Sequence, residues 1–113
     1  MIKNCYRSIF DEVKVISAVV DFPSVGSNQS RFVDIVVPGG VELGTLVEMV
    51  ADSDASSMDD LIWTAYIVNT NVLRITMFNP TGGPADPIPT TFVFILSKIN
   101  REMIPVVIED INF

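Results

Sequence analysis

The side chains of this chain best suited to chemistry stand close together: the carboxylates Asp52, Asp54, Asp59 and Asp60 in "ADSDASSMDD", and the aromatic residues Trp63 and Tyr66 just beyond. Clustered carboxylates can hold Ca2+, a hard cation that takes about six to eight oxygen ligands. The order here departs from that of a calcium loop, with no Gly at the turning position and no Glu at the end. A solvated loop is the expectation, with Asp59 or Asp60 opening the strand that follows. Trp63 and Tyr66 could stack against a sugar ring, yet at their spacing on a strand they point to opposite faces, so at least one belongs to a core or an interface.

Covalent catalysis has fewer openings. The chain contains no histidine, which removes the base that Ser-His-Asp and Cys-His nucleophiles depend on. A glycosidase needs paired carboxylates across a cleft that so short a chain hardly offers. Cys5 is the one cysteine, so no intrachain disulfide forms, and a zinc site would have to be built without His. "PGGVELG", Pro38 to Gly44, lacks the Gly-Lys-Ser/Thr ending and following helix of a phosphate loop and reads as a turn. These patterns lead us to expect no enzyme, no metal and no cofactor.

The elements that must position these residues are strands. Arg31 to Val37 alternates, with Val33, Ile35 and Val37 on one side and Asp34 on the other. Thr45 to Ala51 sets Val47, Met49 and Ala51 against Glu48, and Asp60 to Val68 and Val72 to Phe78 flank "NTN", a hairpin signal. Thr91 to Ser97 differs, because Phe92, Phe94 and Leu96 are matched by Val93 and Ile95, leaving neither face polar. One of its faces must therefore meet something besides its own core. Val13 to Phe22 is a weaker first strand, and Met103 to Ile108, interrupted by Pro105, a weaker last one suited to an edge. No helical period of comparable strength occurs.

Strands at this spacing predict an all-β fold, an antiparallel β-sandwich or jelly roll of about seven to eight strands with terminal arms. The expected organisation is an N-terminal arm over 1–12, one domain over 13–108 and a tail over 109–113. In "FNPTGGPADPIPTTFVFIL", Phe78 to Leu96, the prolines forbid regular pairing and build a rigid, solvent-facing connection, with Gly82 and Gly83 expected to supply positive φ.

Composition bounds the partners. With 113 residues, 49% of them hydrophobic, and a mean hydropathy of +0.44, the chain is apolar for a small domain, and burial between subunits is expected. Seven basic residues stand scattered against fourteen acidic ones, a net charge of −7, which argues against nucleic acid as a partner. The uncharged stretches fall short of the roughly 20 apolar residues that cross a bilayer, and "MIKNCYRSIFDEVKV" does not read as a signal peptide, so neither membrane insertion nor export by that route is expected.

"DIVVPGGVELGTLVEMV" followed by "VLRITMFNPTGGPADPIPTTFVFIL" resembles a pattern of small β-sandwich modules in tailed-phage virion proteins. The matching positions are Val37, Pro38, Gly39, Gly44, Asn79, Thr81, Gly82 and Asp86, within a resemblance covering about Val13 to Ile99; Thr45 stands where those modules often carry Asp. Such modules serve as capsid decoration or cement proteins, often trimers or dimers, and also occur in tail fibres. The resemblance implies a structural protein on the outer capsid surface of the virion, made in the host cytoplasm, with the major capsid protein and copies of itself as partners. The lack of any coiled coil or stalk favours this role over a fibre, and the acidity suits an outer surface. Candidate capsid contacts are the apolar arm residues Ile2, Tyr6, Ile9, Phe10, Ile111 and Phe113. The alternative is a tail-fibre or spike module contacting a host surface glycan through Trp63, Tyr66, Asp52, Asp54, Pro80 and Thr81.

Overall fold

The structure is a computed structural model and describes residues 10–99. Within them the chain forms β1 (Phe10–Val20), β2 (Ser30–Val36), β3 (Leu46–Ala51), β4 (Ile62–Asn69), β5 (Val72–Phe78) and β6 (Thr90–Ile99), with one turn of 3-10 helix at Ser56–Met58 between β3 and β4. The strands make two antiparallel three-stranded sheets, ordered β1-β6-β3 and β2-β5-β4. Only β4 and β5 are joined as a hairpin within one sheet; every other connection crosses to the other. Among the described residues no helix is long and apolar enough to cross a membrane.

Period-two alternation explains the two layers. In β5, Leu73, Ile75 and Met77 are fully buried while Val72, Arg74, Thr76 and Phe78 face outward, and in β6 Phe92, Phe94 and Leu96 take the inward positions. These six meet in one core with Val20, Phe22, Val25, Val37, Met58, Leu61 and Ile67. Phe92 is its hub: its ring centroid lies 5.9 Å from Phe22, 5.4 Å from Trp63 and 6.3 Å from Phe94. Each large side chain buried in this way contributes about 1.5–3 kcal/mol over leaving it in water.

Six strands occur among the described residues, and the expected strand at Met103–Ile108 lies outside them. β1 begins and ends earlier than its alternation suggests. Phe10 pairs with Ile99 and Glu12 with Lys98 across a bulge, so three residues read as arm belong to the sheet, while Phe22 leaves it to enter the core. The polarity of "FDE" hid this, because pairing there depends on the far end of β6.

The glycines differ from expectation as well. Gly82 and Gly83 do not adopt positive φ; Gly39, Gly40 and Gly44 do, in the crossover from β2 to β3. Gly40, at φ 85°, has no room for a side chain, since a Cβ there would lie 2.8 Å from Asn71 Oδ1. That same oxygen accepts the Val41 N–H at 2.9 Å, and Lys14 Nζ donates to the Gly40 carbonyl at 2.8 Å, which ties the crossover to the hairpin and to β1.

Candidate functional site

The acidic segment becomes a fastened loop. Met58 is buried in the core, and the Asp54 carboxylate accepts the Ser56 N–H at 2.9 Å, which turns the chain into the 3-10 turn. That bond holds the Asp54 carboxyl below its ordinary pKa. Ser53 Oγ accepts the Thr91 N–H at 2.9 Å and Ser57 Oγ the Ile88 N–H at 3.2 Å, so the loop is stitched to the start of β6. Asp52, Asp59 and Asp60 are exposed, and among the described residues no three His, Cys, Asp or Glu side chains gather as a metal site. Four carboxylates close in sequence are thus dispersed by the geometry of the turn.

The proline-glycine loop is organised by a residue the composition did not single out. Asn79 is fully buried; its Nδ2 donates to Val25 O at 2.9 Å and Gly83 O at 2.8 Å, and its Oδ1 accepts the Thr81 N–H at 2.9 Å. The Thr81 hydroxyl lies 2.6 Å from that Oδ1 and 2.8 Å from Gly83 O, and Ser27 Oγ donates to Thr81 O at 2.6 Å. A two-way backbone bridge between Val25 and Ala85, at 2.7 and 2.8 Å, completes the clamp. Pro80 is exposed and Thr81 half-buried beside it, so this end of the molecule offers a preformed polar loop with its hydrogen bonds directed inward.

Trp63 and Tyr66 separate to the two sides of β4. Trp63 turns inward against Phe92 and lines an open groove of about 390 Å3 with Val47, Met49, Thr64 and Ala65, where β3 and β4 run side by side. Tyr66 faces outward, 43% exposed, in register with Arg74 of β5. Arg74 is the centre of the outer face of β2-β5-β4. It forks onto Asp34 of β2 at 2.8 and 3.0 Å, and its guanidinium carbon lies 3.8 Å from the ring centroid of Phe32, itself 54% exposed.

The hydrogen bond from Arg74 holds the Asp34 carboxyl below its ordinary pKa, and Asp34, with a smaller share from Tyr66, raises the Arg74 pKa. A depressed carboxyl pKa stabilises the fold above its unfolded value of about 3.9 and ceases to do so as pH falls through the lowered one. On so exposed a pair the effect is small. Its consequence is order: the fork and the cation-π contact fix Phe32 and Arg74 on a surface bounded by Tyr66, Ile62 and Val36. Alternation places Phe32, Asp34 and Arg74 outward in the sequence alone, but the meeting of Arg74 with Asp34, across 40 positions, and with Phe32 needs the β2-β5 register.

The outer face of β1-β6-β3 is aliphatic. Val13, Val15 and Val19 of β1 are 57%, 63% and 70% exposed, Leu46 and Val50 of β3 are exposed as well, and Val93 and Ile95 of β6 run between them. Glu48 is the one ionisable group that the strands present on this face among the described side chains, and exposed Asp52, whose N–H donates to Thr91 O at 2.8 Å, stands at the end of the face. A cavity of about 260 Å3 at one end of the molecule holds Glu12, Lys14, Glu42, Asn71 and Lys98, but its ammonium groups are engaged, Lys14 on the crossover carbonyls and Lys98 3.5 Å from Glu42.

Compared with known protein families, curated proteins and solved structures, the chain matches none.

The arrangement of the described residues is equipped for non-covalent contact. Exposed rings ordered by a fixed cation, and a separate aliphatic face, are the chemistry of surfaces that meet other surfaces. Of the sequence candidates, Tyr66 joins Phe32 and Arg74 on one face, Trp63 serves the core and the groove, Asp52 follows β3 at the end of the aliphatic face with its N–H on Thr91 O, and Asp54, Pro80 and Thr81 sit in loops. Ile2, Tyr6, Ile9, Ile111 and Phe113 lie outside the described residues, and of Phe10 only the strand backbone is described.

Proposed function

We propose that this protein is a phage virion structural protein, a β-sandwich or jelly roll that binds the outside of the capsid as a decoration or cement protein and bridges neighbouring copies of the major capsid protein. The observation that carries this reading is the ordered surface of Phe32, Arg74 and Tyr66 with Ile62 and Val36 at its border. Aromatic residues and Arg concentrate binding energy where protein surfaces meet, and a guanidinium already held by Asp34 loses little freedom on contact. The resemblance in the turn and strand pattern around Val37 to Gly44 and Asn79 to Asp86 supplies the virion class. The apolar arm residues add a second grip on the shell, by packing or strand addition.

Exposed Tyr66 on the same face as Phe32 also favours a second reading, a tail-fibre module in which these rings stack on a host surface glycan. Shells stripped of the protein separate the two. Purified protein should decorate such shells at micromolar concentration, and the double variant Phe32→Ala, Tyr66→Ala should bind at least about tenfold more weakly with its fold intact. Removal of residues 1–9 and 109–113, which spares β1, should weaken attachment further. Undiminished decoration by the double variant removes the Phe32-Tyr66 face from the interface, and no decoration by the unaltered chain, with retained binding to host cells, promotes the glycan reading.

A further inference from the structure

We infer that the outer face of β1-β6-β3 is a self-association surface, covered by the same face of a second copy of this chain around a two-fold axis parallel to β6. The face is built from four cross-strand rows: Val13, Ser97 and Leu46; Val15, Ile95 and Glu48; Ser17, Val93 and Val50; and Val19 with Thr91. Aliphatic side chains dominate it, and three of them on one edge strand are more than half exposed. Exposed aliphatic surface on this scale marks contact sites on small soluble domains.

The size fits a copy of itself. Three strands about 4.8 Å apart and four rows along them, with their side chains, cover roughly 30 by 20 Å, so two such faces bury on the order of 1,200 Å2 together, the lower bound of a stable specific interface. β-branched residues in register make a regular corrugated surface, and two such surfaces interdigitate at about 10 Å in the manner of sheets packed face to face. The net charge of −7 opposes self-association in general, but this face contributes to it only Glu48 within its strands and Asp52 at its end, where the Asp52 N–H donates to Thr91 O, among its described side chains.

Glu48 also selects the axis. A two-fold perpendicular to the strands lays β3 on β3 and draws both Glu48 carboxylates to one edge. A two-fold parallel to β6 lays β3 over the partner's β1, so that Glu48 meets the row of Val15 and its carboxylate reaches water past the rim. Val93 and Ile95 are then buried at the centre between Ser97 and Thr91, with no like charges opposed. The dimer forms in solutions of the purified chain without shells, so it stands or falls independently of the capsid reading.

Sedimentation equilibrium and light scattering on the full chain test this, with Val15→Glu, Val15→Lys and the double variant Val15→Glu, Glu48→Lys. Val15 is exposed, so the fold should survive each change, and far-UV circular dichroism checks that it does. The unaltered chain should run at twice its mass of 12.4 kDa at micromolar concentration. Val15→Glu, which sets a carboxylate against Glu48, should weaken the dimer at least about tenfold. Val15→Lys should lose much less, and the double variant should regain what Val15→Glu lost. A monomer or a trimer for the unaltered chain overturns the inference, as does a dimer indifferent to Val15→Glu, and a double variant no better than Val15→Glu overturns the axis.

Discussion

Phe92→Ala should cost the fold about 3–5 kcal/mol, a large share of the roughly 5–15 kcal/mol that holds a domain of this size together. Phe92 stands on the central strand of its sheet, fully buried, and its ring touches Phe22, Trp63 and Phe94. Removal leaves a cavity that strands on both sides, fixed by their ladders, cannot collapse to fill. Urea titration should show a lower midpoint with an unchanged slope if the variant folds, and a variant within about 1 kcal/mol of the unaltered chain would mean that the two sheets do not share this core. Val93→Ala, one position on and facing outward, is the control and should cost far less in the monomer.

Asn79 should prove nearly as costly, although it is polar and lies beyond the end of β5. Asn79→Ala removes one donor each from Val25 O and Gly83 O, which keep the Ala85 N–H and the Thr81 hydroxyl, at about 0.5–1.5 kcal/mol per lost bond, and strands the Thr81 N–H, a group that costs about 1–3 kcal/mol when water cannot reach it. A loss of at least about 2 kcal/mol is expected, with faster amide exchange at Val25 and Ala85, whose bridge the clamp supports. Asn79→Asp is the sharper variant. It keeps the acceptor, loses both donors and buries a charge, so its carboxyl pKa is raised and stability should recover as pH falls below that value. A variant whose stability is indifferent to pH would show that water enters the clamp.

Much of the strand pattern can be read from polarity alone. Val72 to Phe78 alternates without interruption and is β5 to the residue; Arg31 to Val37 and Thr45 to Ala51 lie one residue off β2 and β3. The two-sided apolarity of β6 likewise shows in the structure as inward Phe92, Phe94 and Leu96 and outward Val93 and Ile95. The features missed depend on contacts distant in sequence. Arg74 on Phe32 and Asp34 requires the β2-β5 register, the valines of β1 gain meaning only beside Val93 and Ile95, and Met58 looks like a loop residue until the core it enters is formed. Gly82 and Gly83 show the same lesson in reverse. Their loop turns on Asn79 and its hydrogen bonds, so the glycines need no left-handed backbone, and the positive φ angles occur where "PGG" crosses between sheets.

Shell binding and shell stabilisation meet in one measurement, the temperature at which phage particles release their DNA, with and without this protein. A ligand that binds only the assembled shell stabilises it by RT ln(1 + [L]/Kd), about 2.7 kcal/mol per site at a hundredfold excess over Kd, repeated at every occupied site. Particles lacking the protein should assemble but release DNA at a lower temperature, and adding it back should restore resistance in proportion to occupancy. Equal release temperatures for decorated and bare particles, together with loss of host adsorption when the protein is missing, would contradict the cement role and assign the protein to the tail.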